Sequence, residues 1–178
     1  LSDLEITDVS SDSRAVKPGC LFFAIRGTKA DGAQYAAAAV KNGAIAIVLD
    51  AESEPACKDL GVPLIRSEDV RREYSFACSR IFGNPSSKIH CIGVTGTNGK
   101  TSVSWILSHA LSYLGRRSSL CGTLGKKVPV LKSADFEVLA NTSPDPKIVH
   151  SFLADALETD CESAVLEVTS QGVLHHRT

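Results

Sequence analysis

The chain has 178 residues, and its 19 basic side chains nearly balance its 20 acidic ones, so the formal net charge at pH 7 is −1. This balance excludes a strongly basic nucleic-acid-binding protein. Hydrophobic residues make up 43% of the chain and charged residues 22%, a composition typical of a globular protein with a buried core. The sequence has no apolar run of membrane-spanning length and no secretion signal. We therefore expect a cytoplasmic protein that neither inserts into membranes nor binds nucleic acid. Separately, we expect it to be monomeric.

The cysteines show no metal-binding or disulfide pattern. They include no CxxC pair and no Cys/His cluster at the spacing of a metal site, so we expect free thiols that are mostly buried. An activated cysteine nucleophile is the alternative, and it needs a neighbouring base that the sequence does not identify. The six cysteines are Cys20, Cys57, Cys78, Cys91, Cys121 and Cys161.

The two ends indicate that this chain is a piece of a longer protein. It begins at Leu1, contains no Met, and shows no stop pattern before Thr178. We expect the missing part to include further domains.

The first half of the chain alternates short apolar runs with helical patterns. The cluster Gly83-Asn84-Pro85 ends the last of these helices and marks a domain boundary. The pattern predicts an α/β domain over residues 1–83, followed by a linker over residues 84–88. The predicted strands are residues 21–25, 44–49 and 64–65, and the predicted helices are residues 34–41 and 68–82.

The second half begins with a strand, a glycine-rich loop and a helix, in that order. The strand covers residues 89–94, and the loop at residues 95–101 reads Thr-Gly-Thr-Asn-Gly-Lys-Thr. Farther along we predict a helix at residues 145–158 and a strand at residues 164–168. Residues 89–178 are therefore predicted to form a second α/β region with a mainly parallel sheet. The helix after the loop has an apolar stripe made of Val103, Ile106, Leu107, Ala110, Leu111 and Leu114.

The loop has the residues of a phosphate-binding site, although it departs from the standard P-loop. The pattern Gly-x-x-x-x-Gly-Lys-[Ser/Thr] requires a glycine where this sequence has Val94. Gly96 and Gly99 still allow the backbone to curl so that its N–H groups converge on phosphate oxygens. Lys100 can neutralise the β- and γ-phosphates, Thr101 can bind Mg²⁺, and the helix N-terminus adds partial positive charge. The alternative is a glycine turn before an ordinary surface helix.

Glu167 is the candidate for a second ligand of Mg²⁺. An ion bound to a nucleotide generally takes a carboxylate from the end of a neighbouring strand, and Glu167 stands inside the apolar run Ala-Val-Leu-Glu-Val. A solvent-facing Glu on an edge strand is the alternative. Two polar loops, residues 12–14 and 27–32, flank the strand at residues 21–25 and are either ligand-binding loops or turns.

These residues resemble the Mur ligases, the ATP-dependent amide-forming family of peptidoglycan synthesis. The phosphate loop of that family is typically Gly-Thr-Asn-Gly-Lys-Thr, which is the sequence of residues 96–101. Residues 12–24, followed by Gly27 and Asp31-Gly32, resemble the UDP-binding domain of the family.

Two later motifs resemble those of the family members that add a diamino acid as the third residue of the peptide. Residues 141–144 resemble the motif Asn-Thr-Thr-Pro, and residues 167–173, with Arg177 beyond them, resemble Glu-Val-Ser-Ser-His-Gly-Leu with its trailing arginine. The departures are Ser143 for the second Thr, Thr169 for the first Ser, and Gln171 for the His. The first two keep a hydroxyl, whereas Gln171 cannot titrate near neutral pH, which puts any acid–base role of that position in doubt.

The resemblance implies a small N-terminal α/β UDP-binding domain followed by the first part of a P-loop, Rossmann-like ATPase domain. It also implies an ATP-dependent ligase that joins meso-diaminopimelate or L-lysine to UDP-N-acetylmuramoyl-L-alanyl-D-glutamate through an acyl phosphate. Such an enzyme serves cell-wall biogenesis, and through it cell shape and cell division. The lysine that the family carbamylates and the C-terminal domain that receives the amino acid would lie beyond Thr178, so the chain alone is expected to be inactive.

The resemblance further implies roles for individual residues. Lys100 would be the catalytic residue, and Thr101 and Glu167 would hold Mg²⁺. ATP would contact Gly96, Thr97, Asn98, Gly99, Lys100, Thr101 and Ser102. The UDP-precursor would contact Ser11, Ser13, Thr28, Lys29 and Ala30 at its uridine end and Asn141, Thr142, Ser143, Thr169, His175 and Arg177 at its muramoyl-dipeptide end.

Three alternatives remain open on the sequence. The chain could belong to the related ligase that adds D-alanyl-D-alanine, which the stretch Thr169-Ser170-Gln171-Gly172 disfavours. It could also be a P-loop kinase or NTPase with an unrelated first domain, or a nucleotide-binding module without catalytic activity.

Overall fold

The computed structural model of the chain describes residues 4–27, 30–129 and 135–178. The chain divides into two compact units, Leu1–Ile81 and Phe82–Thr178, called the first and second unit below. The division lies two residues before the predicted end of the first domain, and the predicted linker falls inside the second unit.

The first unit is built on a sheet of four parallel strands in the order β1-β2-β3-β4, which is also their order in the sequence. Strands β2 and β3 are almost entirely buried, which explains why their sequences are continuous apolar runs. The three-residue strand β1 was not predicted because its sequence, Asp-Val-Ser, carries a single apolar side chain. The strands are β1 (Asp8–Ser10), β2 (Cys20–Phe23), β3 (Ala44–Leu49) and β4 (Leu64–Arg66).

Helices of the first unit cover both faces of this sheet. Neighbouring residues of a strand point to opposite faces, so Phe22 packs in one apolar cluster with α1 and Phe23 packs in a second cluster with α3. The helix predicted from residue 34 begins later because residues Gly32–Tyr35 form a 3-10 turn, capped by the Asp31 side chain. The helices are α1 (Ala36–Lys41), α2 (Glu54–Cys57) and α3 (Val70–Ile81).

The second unit has a mixed sheet in the order β5-β8-β6-β7. Strand β8, the last in the sequence, lies between β5 and β6 and is parallel to both, whereas β7 pairs with β6 in the antiparallel direction. The carboxyl ends of β5, β8 and β6 therefore meet at one edge of the sheet. The strands are β5 (His90–Val94), β6 (Ser118–Gly122), β7 (Gly125–Lys127) and β8 (Ser163–Glu167). The predicted α/β fold class, with mainly parallel sheets, is confirmed.

Helix α5 of the second unit starts where the sequence predicts. The Asp145 side chain accepts a hydrogen bond from the N–H of Lys147 at 2.9 Å, and Pro146 occupies the first helical position. Its apolar face is buried through Val149, Phe152 and Leu153. Among the described residues, no helix is long and apolar enough to cross a bilayer. The helices are α4 (Lys100–Tyr113), α5 (Pro146–Glu158) and α6 (Ser170–Leu174).

The predicted apolar stripe of α4 is wrong in part. Val103 is 53% exposed and Ile106 is 60% exposed, whereas Ser104 and Ser108 are fully buried. The hydroxyls of these two serines donate to carbonyls of their own helix, at 3.1 Å and 3.0 Å, so they can be buried without loss of hydrogen bonds. Small satisfied side chains therefore face the protein, and part of the apolar stripe faces solvent.

Candidate functional site

The loop between β5 and α4 has the backbone shape that its glycines allow. Gly96 and Gly99 have φ angles of 145° and 78°, in the region that L-residues rarely adopt. Gly99 is the N-cap of α4, and no side chain caps this end of the helix within the described structure. The first N–H groups of this 14-residue helix therefore have no side-chain acceptor at the N-cap and can donate to a bound anion, as at other anion-binding helix termini.

Lys100 is the first residue of α4 and folds back over the loop. Its Nζ donates hydrogen bonds to the main-chain oxygens of Gly96, at 2.7 Å, and Thr97, at 3.3 Å. A phosphate is a stronger partner for an ammonium group than a neutral carbonyl. The lysine can exchange these bonds for phosphate oxygens, while Thr97, Asn98 and Ser102 are exposed beside it.

Glu167 lies at the carboxyl end of the central strand β8 and is only 2% exposed. It is therefore not a solvent-facing residue of an edge strand. Its Oε2 accepts hydrogen bonds from the hydroxyls of Thr101 and Thr123, both at 3.0 Å, and its Oε1 accepts one from the N–H of Thr123 at 3.1 Å. These donors satisfy a carboxylate that would otherwise be costly to bury.

Two residues beside Glu167, Gly122 and Thr123, are not among those predicted from the sequence. Gly122 ends β6, and a Cβ atom built there would overlap Oε1 of Glu167, so the glycine leaves the space that this position of the carboxylate occupies. Thr123 follows it and supplies two of the three hydrogen bonds just described. Strand β6 begins with Ser118 and Ser119, so its sequence is not the continuous apolar run that predicts a buried strand. The signal that could have found the pair is a Gly-Thr dipeptide directly after the apolar Leu120-Cys121.

The oxygens of Thr101 and Glu167 fit a nucleotide-bound Mg²⁺. A hydroxyl oxygen and a carboxylate oxygen lie 3.0 Å apart, and both are the hard donors that Mg²⁺ prefers. Over the described ranges, no group of three or more His, Cys, Asp or Glu side chains could hold a metal ion by itself. The pair thus suits an ion that takes one or two protein ligands and completes its shell with phosphate and water.

The two motifs predicted to contact the muramoyl-dipeptide meet at Ser143. Its buried hydroxyl donates to the main-chain oxygen of Glu167 at 3.1 Å and accepts from the N–H and hydroxyl of Thr169, at 3.0 Å and 3.1 Å. The Arg177 guanidinium donates to the main-chain oxygen of Ser143 at 3.3 Å. The hydroxyl of Thr142 lies 3.0 Å from that of Thr123. Asn141, which precedes Thr142, is exposed. His175 directly follows α6 and is half-buried, and its N–H donates to the main-chain oxygen of Gln171.

Thr169 keeps a structural role despite its departure from the family pattern. Its hydroxyl caps α6 by accepting a hydrogen bond from the N–H of Gly172 at 3.0 Å. A Cβ at Gly172 would approach the Cβ of Ser143 to 2.7 Å, so the two motifs are packed tightly against each other. Gln171, which stands in place of the histidine, is exposed.

The candidate uridine-binding residues belong to the first unit. Ser11 and buried Ser13 follow β1, and Ala30 lies in the loop after the parallel strand β2, where its oxygen accepts from the N–H of Gly27 at 2.9 Å. The remaining two candidates, Thr28 and Lys29, lie outside the described residues.

Asp12 and Arg14, between and beside those serines, form a local ion pair. The Arg14 guanidinium donates to both carboxylate oxygens of Asp12, at 3.0 Å and 2.7 Å. These hydrogen bonds hold the pKa of the Asp12 carboxyl below its usual value. The pair shapes the 3-10 turn Ser13–Ala15, which Asp12 also caps.

Two family models match the chain in the order of its two units. The model described as "Mur ligase family, catalytic domain" matches residues 5–75, and the one described as "Mur ligase middle domain" matches residues 94–178. The chain belongs to the Mur ligase family. Its relatives include proteins named UDP-N-acetylmuramoyl-L-alanyl-D-glutamate--2,6-diaminopimelate ligase. The protein of that name from Pseudomonas syringae pv. tomato is 37% identical over 94% of this chain, and the one from Mesorhizobium japonicum is 38% identical over 99%.

These relatives are much longer than the chain. The chain spans 34% of the Pseudomonas protein and 35% of the Mesorhizobium protein, about a third of their length. A solved structure of a ligase with the same name has a TM-score of 0.78 and 27% identity, covering 96% of this chain and 33% of the other. A MurF structure from Acinetobacter baumannii, at 21% identity and a TM-score of 0.55, shares the fold over 93% of this chain and 31% of its own.

Proposed function

We propose that this chain is the UDP-precursor-binding and nucleotide-binding part of an ATP-dependent ligase of peptidoglycan precursor synthesis. The ligase would join a diamino acid to UDP-N-acetylmuramoyl-L-alanyl-D-glutamate, and the names of the relatives favour 2,6-diaminopimelate over L-lysine as that acid. The observation that carries the proposal is the buried carboxylate of Glu167, bonded to the Thr101 hydroxyl at the start of the helix that follows the glycine loop.

The proposed reaction proceeds in two steps. The γ-carboxylate of the D-glutamyl residue attacks the γ-phosphorus of ATP, so that ADP leaves and an acyl phosphate forms. The amine of the diamino acid then attacks the acyl carbon, phosphate leaves, and the nitrogen loses a proton as the amide forms. The protein's contribution is mainly alignment and charge stabilisation, as in other phosphoryl transfers.

The residues of the site divide this work between them. The loop N–H groups and Lys100 would bind the β- and γ-phosphates and stabilise negative charge as the phosphoryl group moves. Thr101 and Glu167 would hold Mg²⁺, which supplies further neutralisation of the phosphates when bound. Asn141, Thr142, Ser143, Thr169, His175 and Arg177 would orient the muramoyl-dipeptide beside them.

The first unit would bind the uridine end of the precursor through Ser11, Ser13, Thr28, Lys29 and Ala30. This position is supported by parallel strands β1 and β2, because residues that follow parallel neighbours lie at one sheet edge, where α/β proteins bind ligands.

Removal of the Lys100 ammonium group tests the nucleotide site. We expect Lys100→Ala to weaken the binding of Mg²⁺–ADP to the 178-residue chain by at least about tenfold, because a hydrogen bond to a charged group is lost. Binding of the UDP-muramoyl-dipeptide should stay unchanged. Isothermal titration calorimetry with each ligand measures both effects, and Lys88→Ala, an exposed lysine before β5, is the matched control.

Equal nucleotide affinity in Lys100→Ala and the unmodified chain would contradict the proposal. A full-length protein containing this sequence should hydrolyse ATP only when the UDP-muramoyl-dipeptide is present, and hydrolysis without it would favour a kinase or NTPase. Formation of the amide product by the 178-residue chain alone would contradict its expected inactivity.

A further inference from the structure

Thr123 bonds to Glu167 through both its main chain and its side chain. The N–H bonds to Oε1 at 3.1 Å and the hydroxyl bonds to Oε2 at 3.0 Å, so one residue contacts both oxygens of the carboxylate. This arrangement fixes the rotation of the carboxylate plane as well as its position. Thr123 is itself exposed, in the two-residue turn that joins β6 to β7.

The hydrogen bond between the hydroxyls of Thr123 and Thr142 has a definite donor, because each hydroxyl has a single proton. A hydroxyl has one proton to donate, and that of Thr123 is directed to Glu167. In the 3.0 Å contact between Thr123 and Thr142, the proton must therefore come from Thr142. Thr142 therefore donates to Thr123, and Thr123 donates to Glu167. This chain of hydrogen bonds links the candidate precursor-binding loop to the candidate metal-binding carboxylate.

Binding of a cation would leave Thr123 as the main support of Glu167. The Thr101 hydroxyl now donates to Oε2, and it would turn its oxygen toward an ion held between the two residues. Of the three donors to the carboxylate found in the described structure, only the two from Thr123 would then remain in place. Gly122 leaves the space that this position of the carboxylate requires.

We propose that Thr123 is a positioning residue that holds the Glu167 carboxylate in the orientation needed for the Mg²⁺–nucleotide complex. This inference rests on the proposed function, because it assumes that Thr101 and Glu167 hold the ion. Thr123 acts through Glu167 and is not itself a ligand of the ion.

The test compares Thr123→Val with Thr123→Ser in the 178-residue chain. Valine keeps the branched shape and the N–H but removes the hydroxyl, whereas serine keeps the hydroxyl. We expect Thr123→Val to weaken the binding of ADP in the presence of Mg²⁺ by about tenfold, since one hydrogen bond to a charged group is lost. Binding of ADP with EDTA in place of Mg²⁺ should not change, and Thr123→Ser should restore the Mg²⁺-dependent affinity.

Thr159→Val is the matched control, because the Thr159 hydroxyl contacts two carbonyls at the end of α5 and the Cys161 sulfur, and its described contacts include no residue of the candidate site. Equal Mg²⁺-dependent affinities in Thr123→Val and the unmodified chain would overturn the positioning role and leave the proposed function intact. A loss of affinity that is the same with Mg²⁺ and with EDTA would also overturn it. Failure of the unmodified chain to bind ADP under either condition would overturn both proposals.

Discussion

Cys121 shows how strongly the centre of the second unit is shielded from water. It lies in β6, is 1% exposed, and pairs in register with Leu166 of β8. Burial raises the pKa of its thiol from 9.0 to about 12, with nearby Lys126 lowering it and Glu167 raising it by smaller amounts. The thiol is therefore neutral and unreactive in the folded chain at physiological pH, as the prediction of free buried cysteines requires.

This pKa predicts how the stability of the chain depends on alkaline pH. Between pH 9 and the folded-state pKa of about 12, the unfolded thiol loses its proton and the folded thiol keeps it. The unfolded state is then favoured, and the free energy of unfolding should fall by up to about 1.4 kcal/mol per pH unit from this group.

Urea unfolding of the chain and of Cys121→Ala, measured from pH 8 to about pH 10.5, checks the effect. The variant should have a smaller loss of stability with rising pH, whatever its stability at pH 8. Parallel curves for the two proteins would contradict the shift in the Cys121 pKa.

The candidate site was predictable where a residue's chemistry and its place in a motif agree. Lys100, Thr101 and Glu167 stand out because a loop with two glycines and an acid within an apolar strand are unusual. Gly122 and Thr123 have only the weak signal of a Gly-Thr dipeptide after two apolar residues, since their importance depends on the contact between β6 and β8, which are far apart in the sequence. Side chains that act on another side chain across a sheet leave little local signal.

Helix α4 shows the same limit in a whole element. Its existence and its ends follow from the sequence, but its buried face depends on how closely it can approach the sheet. Leu107 packs against the cluster of Leu120 and Val165, whereas its neighbour Ile106 is 60% exposed. The most apolar side of a helix is not always the buried one, because buried serines can satisfy their hydroxyls within the helix.

This orientation of α4 predicts opposite outcomes for two adjacent residues of similar size. Leu107→Ala should lower the free energy of unfolding by about 1 to 3 kcal/mol, as expected for a half-buried leucine. Ile106→Ala should change it by less than about 0.5 kcal/mol, as at an exposed position. Chemical denaturation measures both, and a larger loss in Ile106→Ala would show that the stripe read from the sequence is the buried face.

Among the strands, prediction succeeded where burial on both faces gave a continuous apolar run. Strand β3 has the predicted bounds, Ala44–Leu49, because all six of its residues are apolar and so both of its faces can be buried. Strands β6 and β7 were missed because the first begins with two serines and the second is Gly-Lys-Lys. Strand β6 pairs with both β7 and β8, contacts that the sequences of β6 and β7 themselves do not indicate.

The two units differ in how their sheets depend on distant parts of the chain. In the first unit each strand pairs with its neighbours in sequence, whereas in the second unit β8 lies between β5 and β6 and pairs with both. The second sheet should therefore be lost when β8 is removed, and the first should not.

Deletion of residues 161–178 tests this dependence. We expect amide hydrogens of β2 and β3 to keep their protection from exchange, and those of β5 and β6 to lose it, because β8 is their shared partner. Hydrogen–deuterium exchange measured by mass spectrometry separates the two sheets. Deletion of residues 170–178, which removes α6 but keeps β8, is the control, and protected β5 and β6 amides in the shorter chain would contradict the expectation.

The late position of β8 also has a consequence during translation. The first unit can add its strands one after another as the nascent chain leaves the ribosome, whereas β5 and β6 of the second unit must wait for β8, which is made after both. Strand β8 ends in Glu167, so the carboxylate is made together with the strand that joins β5 to β6. The pairing of β5 with β8 and the contact of Glu167 with Thr101 therefore form together, and a nascent chain without β8 would lack the carboxylate of the proposed cation site.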